Sequence, residues 1–185
     1  LLHLLLKKLA ESVCQPVSYN RLSHILSSVS GKITMPTVSK YIEYSESAWL
    51  VLRLRNMSAP FAERETSCKY YFIDNGVLNL FLINGMASLL ENTVALALFR
   101  KYGHDPDNER VFFYNERFEV DFYVPEDELA IQVSYNISQS TDTYEREVNA
   151  LKKIPKVLPC KHRLILTNEE SDTTEDEFGV IEIIP

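Results

Sequence analysis

Apolar residues recur at helical spacing over the first stretch of the chain (Leu2, Leu5, Leu6, Leu9, Val13), which predicts a helix ending near Gln15–Pro16. Ser18 reads as the N-cap of a second helix through Ser27, with Leu22, Ile25 and Leu26 on its inner stripe. Gly31 closes a turn. Thr34 then caps a third helix with Pro36 in its first turn, where a missing N–H costs nothing, and Val38, Tyr41 and Ile42 give it an apolar face. The period then changes to two: Leu50, Leu52 and Leu54 point one way, Val51, Arg53 and Arg55 the other. A polar loop over Pro60 to Ser67 and a partner strand over Lys69–Ile73 follow, and Asn75–Gly76 marks a turn.

Beyond Gly85 the pattern predicts a long helix from Met86 to Tyr102, stopped by Gly103, and then a polar loop, His104–Glu109. Strands follow over Val111–Tyr114, Phe118–Val124 and Leu129–Tyr135. Ser140 or Thr141 caps a helix through Ile154, with Glu145 and Glu147 near its positive end. An apolar strand (His162–Leu166), an acidic loop (Asn168–Glu177) and a last strand (Val180–Ile184) complete the chain. Three helices and a two-stranded ribbon are in winged helix-turn-helix order. The expected architecture is therefore α+β (α/β): a winged helix at about 1–76, then a domain at about 85–185 with a mixed sheet flanked by helices.

Composition narrows the class. Apolar residues make up 45% of the chain and aromatic residues 11%, as in globular proteins. No apolar run approaches the ~20 residues that cross a bilayer, and Lys7–Lys8 follow the apolar start rather than precede it, the wrong order for a secretory signal. With no initiator Met, the chain reads as cut from a longer protein. Cys14, Cys68 and Cys160 are odd in number and unpaired in spacing, which fits reduced thiols in a cytoplasm. The net charge of −7 is unevenly spread: residues 1–84 hold nine Lys/Arg against six Asp/Glu, residues 85–185 ten against twenty. The second half repels a phosphate backbone, and only the first is mildly suited to one. Lys40 on the third helix, with Arg53, Arg55 and Lys69 on the ribbon, are the candidates for phosphate contacts; a solvated charged face is the alternative. A helix showing Thr37, Lys40 and Glu43 is thin for reading bases, which favours a protein-facing winged helix.

Two constellations bear on chemistry. Ser30-Gly31-Lys32 lacks the upstream Gly and the following Ser/Thr of a phosphate loop, so this stretch does not hydrolyse ATP. Glu91, then Glu119-Val120-Asp121, then Gln132-Val133-Ser134 form the second: residues 132 and 134 share a strand face, and Glu91 with Asp121 are the candidate carboxylates for a Mg²⁺. The alternative role for both acids is acceptance of backbone N–H bonds.

The helix–three-strand–helix–strand order, with Lys69–Gly76, Leu89–Asn92, Glu119–Phe122, Ala130–Ser134 and Arg146–Leu151, resembles the C-terminal region of a family of bacterial AAA+ superfamily ATPases. The resemblance covers about residues 18–170. It implies a winged helix followed by a domain of unknown function with a PD-(D/E)xK restriction-endonuclease-like core. It also implies a P-loop ATPase domain, and hence ATP, upstream on the same polypeptide, with a protein or DNA as the further partner and oligomeric assembly compatible. The third strand of that family commonly reads Glu-Val-Lys. Here Gln132 and Ser134 stand at both chemical positions, so the core is expected to be degenerate and the chain to act as a non-catalytic recognition or regulatory module. The alternatives are a metal-dependent nuclease whose Lys has migrated (Lys152, Lys153 or Lys161) and a DNA-binding regulator working through the winged helix.

Overall fold

The computed structural model describes residues 1–82, 85–105, 109–138 and 140–185. The fold is mixed α+β and divides into two compact units, Leu1–Arg55 with Pro60–Leu96, and Asn56–Ala59 with Ala97–Pro185. The division thus falls inside a helix, whereas the sequence pattern sets it between Gly76 and Gly85.

The first unit contains α1 (Leu2–Glu11), β1 (Val17–Ser18), α2 (Tyr19–Ser30), α3 (Met35–Ser47), β2 (Val51–Leu54), α4 (Phe61–Thr66), β3 (Ser67–Phe72), α5 (Asn75–Asn79) and the first part of α6 (Met86–Tyr102). The Ser18 hydroxyl accepts the Arg21 N–H at 3.2 Å, satisfying one of the orphan donors at the start of α2. Thr34 stands at the N-cap of α3, but its hydroxyl meets that of Thr37 at 3.0 Å and not a backbone amide. The inner stripes converge: Leu5 and Leu9 of α1, Leu22 and Leu26 of α2, and Val38 and Ile42 of α3 are buried together. Each such side chain is worth roughly 1.5–3 kcal/mol of burial.

The ribbon is a three-stranded sheet of order β1-β3-β2. The extra strand is Val17–Ser18, two residues set against Cys68 and Ser67 and too short for a periodic signal. Two other segments differ from the sequence pattern. The polar stretch after Pro60 is helical, α4, and Asn75–Gly76 opens the short helix α5, where the Asp74 carboxylate accepts the Val77 N–H at 3.0 Å.

The second unit is built on a six-stranded sheet of order β4-β5-β6-β7-β9-β8, comprising β4 (Phe112–Asn115), β5 (Glu119–Val124), β6 (Leu129–Val133), β7 (His162–Leu166), β8 (Asp172–Asp176) and β9 (Gly179–Ile184). β4-β5-β6 form an antiparallel meander, β6-β7 and β7-β9 are parallel, and β8-β9 is an antiparallel hairpin. The helix α7 (Thr141–Lys153), capped by Ser140, links β6 to β7 and lays Val148, Ala150 and Leu151 on the face that carries Ala130, Ile165, Ile181 and Ile183. Gly103 ends α6 at φ +85°, a conformation that costs a residue with a Cβ. The loop expected after it includes residues 106–108, which lie outside the described residues. Asn56 belongs here because its amide pairs with the Asn115 backbone, accepting the N–H at 3.0 Å and donating to the carbonyl at 2.8 Å.

The acidic segment expected as a loop is instead partly strand β8. The Arg163 guanidinium, 1% exposed, grips the Asp176 carboxylate at 2.7 and 2.8 Å, while Asp176 also accepts the Phe178 N–H at 2.8 Å. With Gly179 at φ +105°, these contacts close the β8–β9 turn.

Candidate functional site

In the second unit β5 and β6 pair normally through Val124–Leu129, Tyr123–Ala130 and Phe122–Ile131. Beyond that point side chains continue the ladder. The Gln132 Oε1 accepts the Asp121 N–H at 2.7 Å, and the Asp121 Oδ2 accepts the Val133 N–H at 3.0 Å. The Gln132 Nε2 donates to the Glu119 carbonyl at 3.1 Å and to the Glu147 Oε2 at 2.7 Å. Only an amide fits this position, because the side chain must accept on one side and donate twice on the other. Gln132 is 3% exposed; neutrality spares it the cost of burying a charge.

Glu147 comes from α7 and is 6% exposed. Burial pushes its carboxyl above the ordinary glutamate range, with the nearby Asp121 and Glu119 carboxylates adding to the rise; Arg146, bonded at 2.6 and 3.1 Å, works against it. Asp121 and Gln132 are thus brought together from the successive strands β5 and β6. Ser134 is buried, with its N–H donating to the Leu166 carbonyl at 2.9 Å, so the chain here continues along β7. Glu147 and Arg146 are site residues to which the sequence pattern assigns no chemical role, only a place in a capped helix and in a stretch that carries the family resemblance. A signal was present: Glu147 sits three residues after Tyr144 and four before Leu151, on the buried stripe of the helix.

Glu91 lies in the first unit. Its Oε1 accepts the Tyr71 hydroxyl at 2.7 Å and stands 3.5 Å from the Lys69 ammonium. Next to it, Asn92 is fully buried and pairs with the Phe72 backbone, accepting its N–H at 2.7 Å and donating to its carbonyl at 2.8 Å. The carboxylate therefore serves this buried network in the manner of a hydrogen-bond acceptor. Among the described residues no group of three or more His, Cys, Asp or Glu is arranged to hold a metal ion.

The basic residues assigned to an exposed ribbon face need correction. Lys69 is fully buried against Glu91. Alternation is as expected, but Val51 and Arg53 lie on the side of the helical core, opposite Phe72 and Tyr70. There the Arg53 guanidinium is clamped by both Glu46 oxygens, at 2.9 and 2.5 Å, and Arg55 reaches Glu65 at 2.8 Å. Tyr70, Tyr71 and Phe72 are all buried, as core packing requires. Lys40 does stand exposed on α3, its ammonium 5.8 Å from the Tyr44 ring centre. Of the lysines that stand as migrated catalytic candidates, Lys161 pairs with Glu128 at 2.9 Å, Lys153 lies over the Phe118 ring at 6.0 Å, and Lys152 acts on Asp176.

Residues 1–88 match a domain of unknown function, DUF8612. An uncharacterized protein of Methanocaldococcus jannaschii is 29% identical over 179 residues, 91% of this chain and 39% of the relative. An uncharacterized protein of Haemophilus influenzae is 26% identical over 156 residues, 81% of this chain and 38% of the relative. The chain thus spans about two fifths of the length of these curated relatives. No solved structure matches. Among the described residues no helix is long and apolar enough to cross a membrane.

Proposed function

We propose that this chain is a non-catalytic recognition or regulatory module at the C-terminal end of an AAA+-type ATP-binding protein. In this reading a winged helix at about 1–76 precedes a degenerate nuclease-like domain at about 85–185. The observation that carries the loss of catalysis is the use made of Gln132. Its amide is committed to Asp121, Glu119 and Glu147, so the position that would serve a metal in a working nuclease serves the joint between β5, β6 and α7. The ammonium groups of Lys153 and Lys161 are engaged with Phe118 and Glu128. The greater length of the relatives leaves room for an ATPase domain on the same polypeptide. A protein partner for the winged helix is favoured over DNA by the carboxylates that occupy Arg53, Arg55 and Lys69.

The test is cleavage of supercoiled plasmid and single-stranded DNA in Mg²⁺ or Mn²⁺. The expected result is none. Cleavage that disappears in Asp121→Ala would overturn the reading in favour of a nuclease with a relocated cation. The ATPase attachment is tested on the full-length gene product, which should bind and hydrolyse ATP; a product without a phosphate-binding loop would sever it. DNA binding at low salt that weakens in Lys40→Ala would instead support the winged-helix regulator.

A further inference from the structure

A cavity of about 710 Å³ opens in the second unit where the parallel strands β6 and β7 begin, at the opposite end of β6 from Gln132. It exists because α7 covers only one sheet face. Ile165, Ile181 and Ile183 turn to that covered face, so Leu164, Val180 and Glu182, alternating with them, turn to the other. Leu164 and Glu182 are direct neighbours in the β7–β9 register, and Leu129 adjoins His162 across β6–β7. Leu129, Leu164 and Val180 give the groove an apolar floor, and Val180 is 46% exposed.

The charges around this floor are unequal. Lys101 is held by Asp127 at 3.2 Å and Lys161 by Glu128 at 2.9 Å, while Glu126 reaches Arg110 at 3.4 Å. The Glu182 carboxylate has no hydrogen bond or ion pair among the described residues, and it projects beside the apolar floor. The surplus charge is therefore one carboxylate next to half-buried Leu164 and exposed Val180. Such a surface repels nucleic acid and anionic metabolites. It complements a segment in which a cation stands beside an apolar side chain, and its volume falls within the roughly 300–1,000 Å³ usual for ligand clefts.

We propose that this groove docks a short basic–apolar peptide segment of a partner protein. A Lys or Arg pairs with Glu182, and the adjacent apolar side chain covers Leu164 and Val180. The inference goes beyond the proposed function, because it uses a different end of the sheet and needs neither an upstream ATPase nor a nuclease ancestry.

The experiment is fluorescence polarisation of the chain against short labelled peptides. One alternates leucine with arginine, one leucine with glutamate, one serine with arginine, and spermine serves as an unlabelled competitor. The leucine–arginine peptide should bind at least about tenfold more tightly than either other peptide, with spermine a poor competitor. Glu182→Gln, at an exposed position, should weaken it about tenfold, Val180→Asp should weaken it as well, and Glu43→Gln on α3 should not. Equal binding of the serine–arginine peptide, full competition by spermine, indifference to Glu182→Gln, or no binding at all would each overturn the proposal.

Discussion

Replacing Gln132 by glutamate tests the central structural claim, since it changes one atom type and no shape. The new carboxylate still accepts the Asp121 N–H, held at 2.7 Å by the amide. It cannot donate to the Glu119 carbonyl or to Glu147, now at 3.1 and 2.7 Å. A buried acceptor deprived of its donor costs about 1–3 kcal/mol, and two of them bring the sum to roughly 2–6 kcal/mol. At neutral pH the variant also faces Glu147, whose carboxyl burial already raises. The pair relieves this by taking up a proton, and the resulting O–H restores one donor. The sign follows: the folded state holds a proton that the unfolded chain releases near an ordinary glutamate pKa of about 4.3. The penalty is therefore smallest below that value and grows as pH rises through the folded-state value.

We expect Gln132→Glu to lose about 3–5 kcal/mol near pH 7.5 and clearly less near pH 5. Gln132→Met, which removes the amide without adding charge, should lose about 2–4 kcal/mol at both. Urea unfolding read by amide exchange in β5 and β6 measures this directly. Trp49, the single tryptophan, lies in the first unit and provides an internal reference. A glutamate variant within about 0.5 kcal/mol of the parent near pH 7.5, or one whose loss does not change with pH, would refute the reasoning.

Three further outcomes follow from the same physics. Lys69→Met strips the cation from the buried Glu91 and should cost about 3–5 kcal/mol, most of it recovered when Glu91→Gln is added; tryptophan fluorescence during unfolding measures both. Asn92→Ala removes the 2.7 and 2.8 Å bonds to the Phe72 backbone and should cost about 2–4 kcal/mol in thermal unfolding, with Asn92→Asp at least as damaging because a carboxylate cannot donate to the carbonyl. The Arg163 guanidinium holds the Asp176 carboxyl below its ordinary range, so the stability from that pair is complete above the unfolded value of about 3.8 and is lost as pH falls through the folded one. Asp176→Asn should flatten that acid limb in calorimetry.

Local chemistry by itself determined a good part of this protein. Ser18, Ser140 and Gly103 mark helix ends through side-chain hydroxyls or left-handed backbone, features that need no distant partner. The order of the predicted strands set Asp121 and Gln132 on successive strands of one hairpin. The tertiary structure decided the rest, because alternation separates two faces of a strand without saying which one becomes covered. Arg53 and Lys69 read as an exposed basic stripe, yet one is clamped by Glu46 and the other buried against Glu91. The acidic stretch Asp172–Asp176 is a strand because Arg163, nine residues before it begins, closes its turn. Gln132 carries the same lesson. Its neutrality is legible in one letter, but its function as a double donor depends on the Glu119 carbonyl and on Glu147, which α7 brings across the sheet. A hydrogen bond depends on where its partner lies in space, and packing alone sets that.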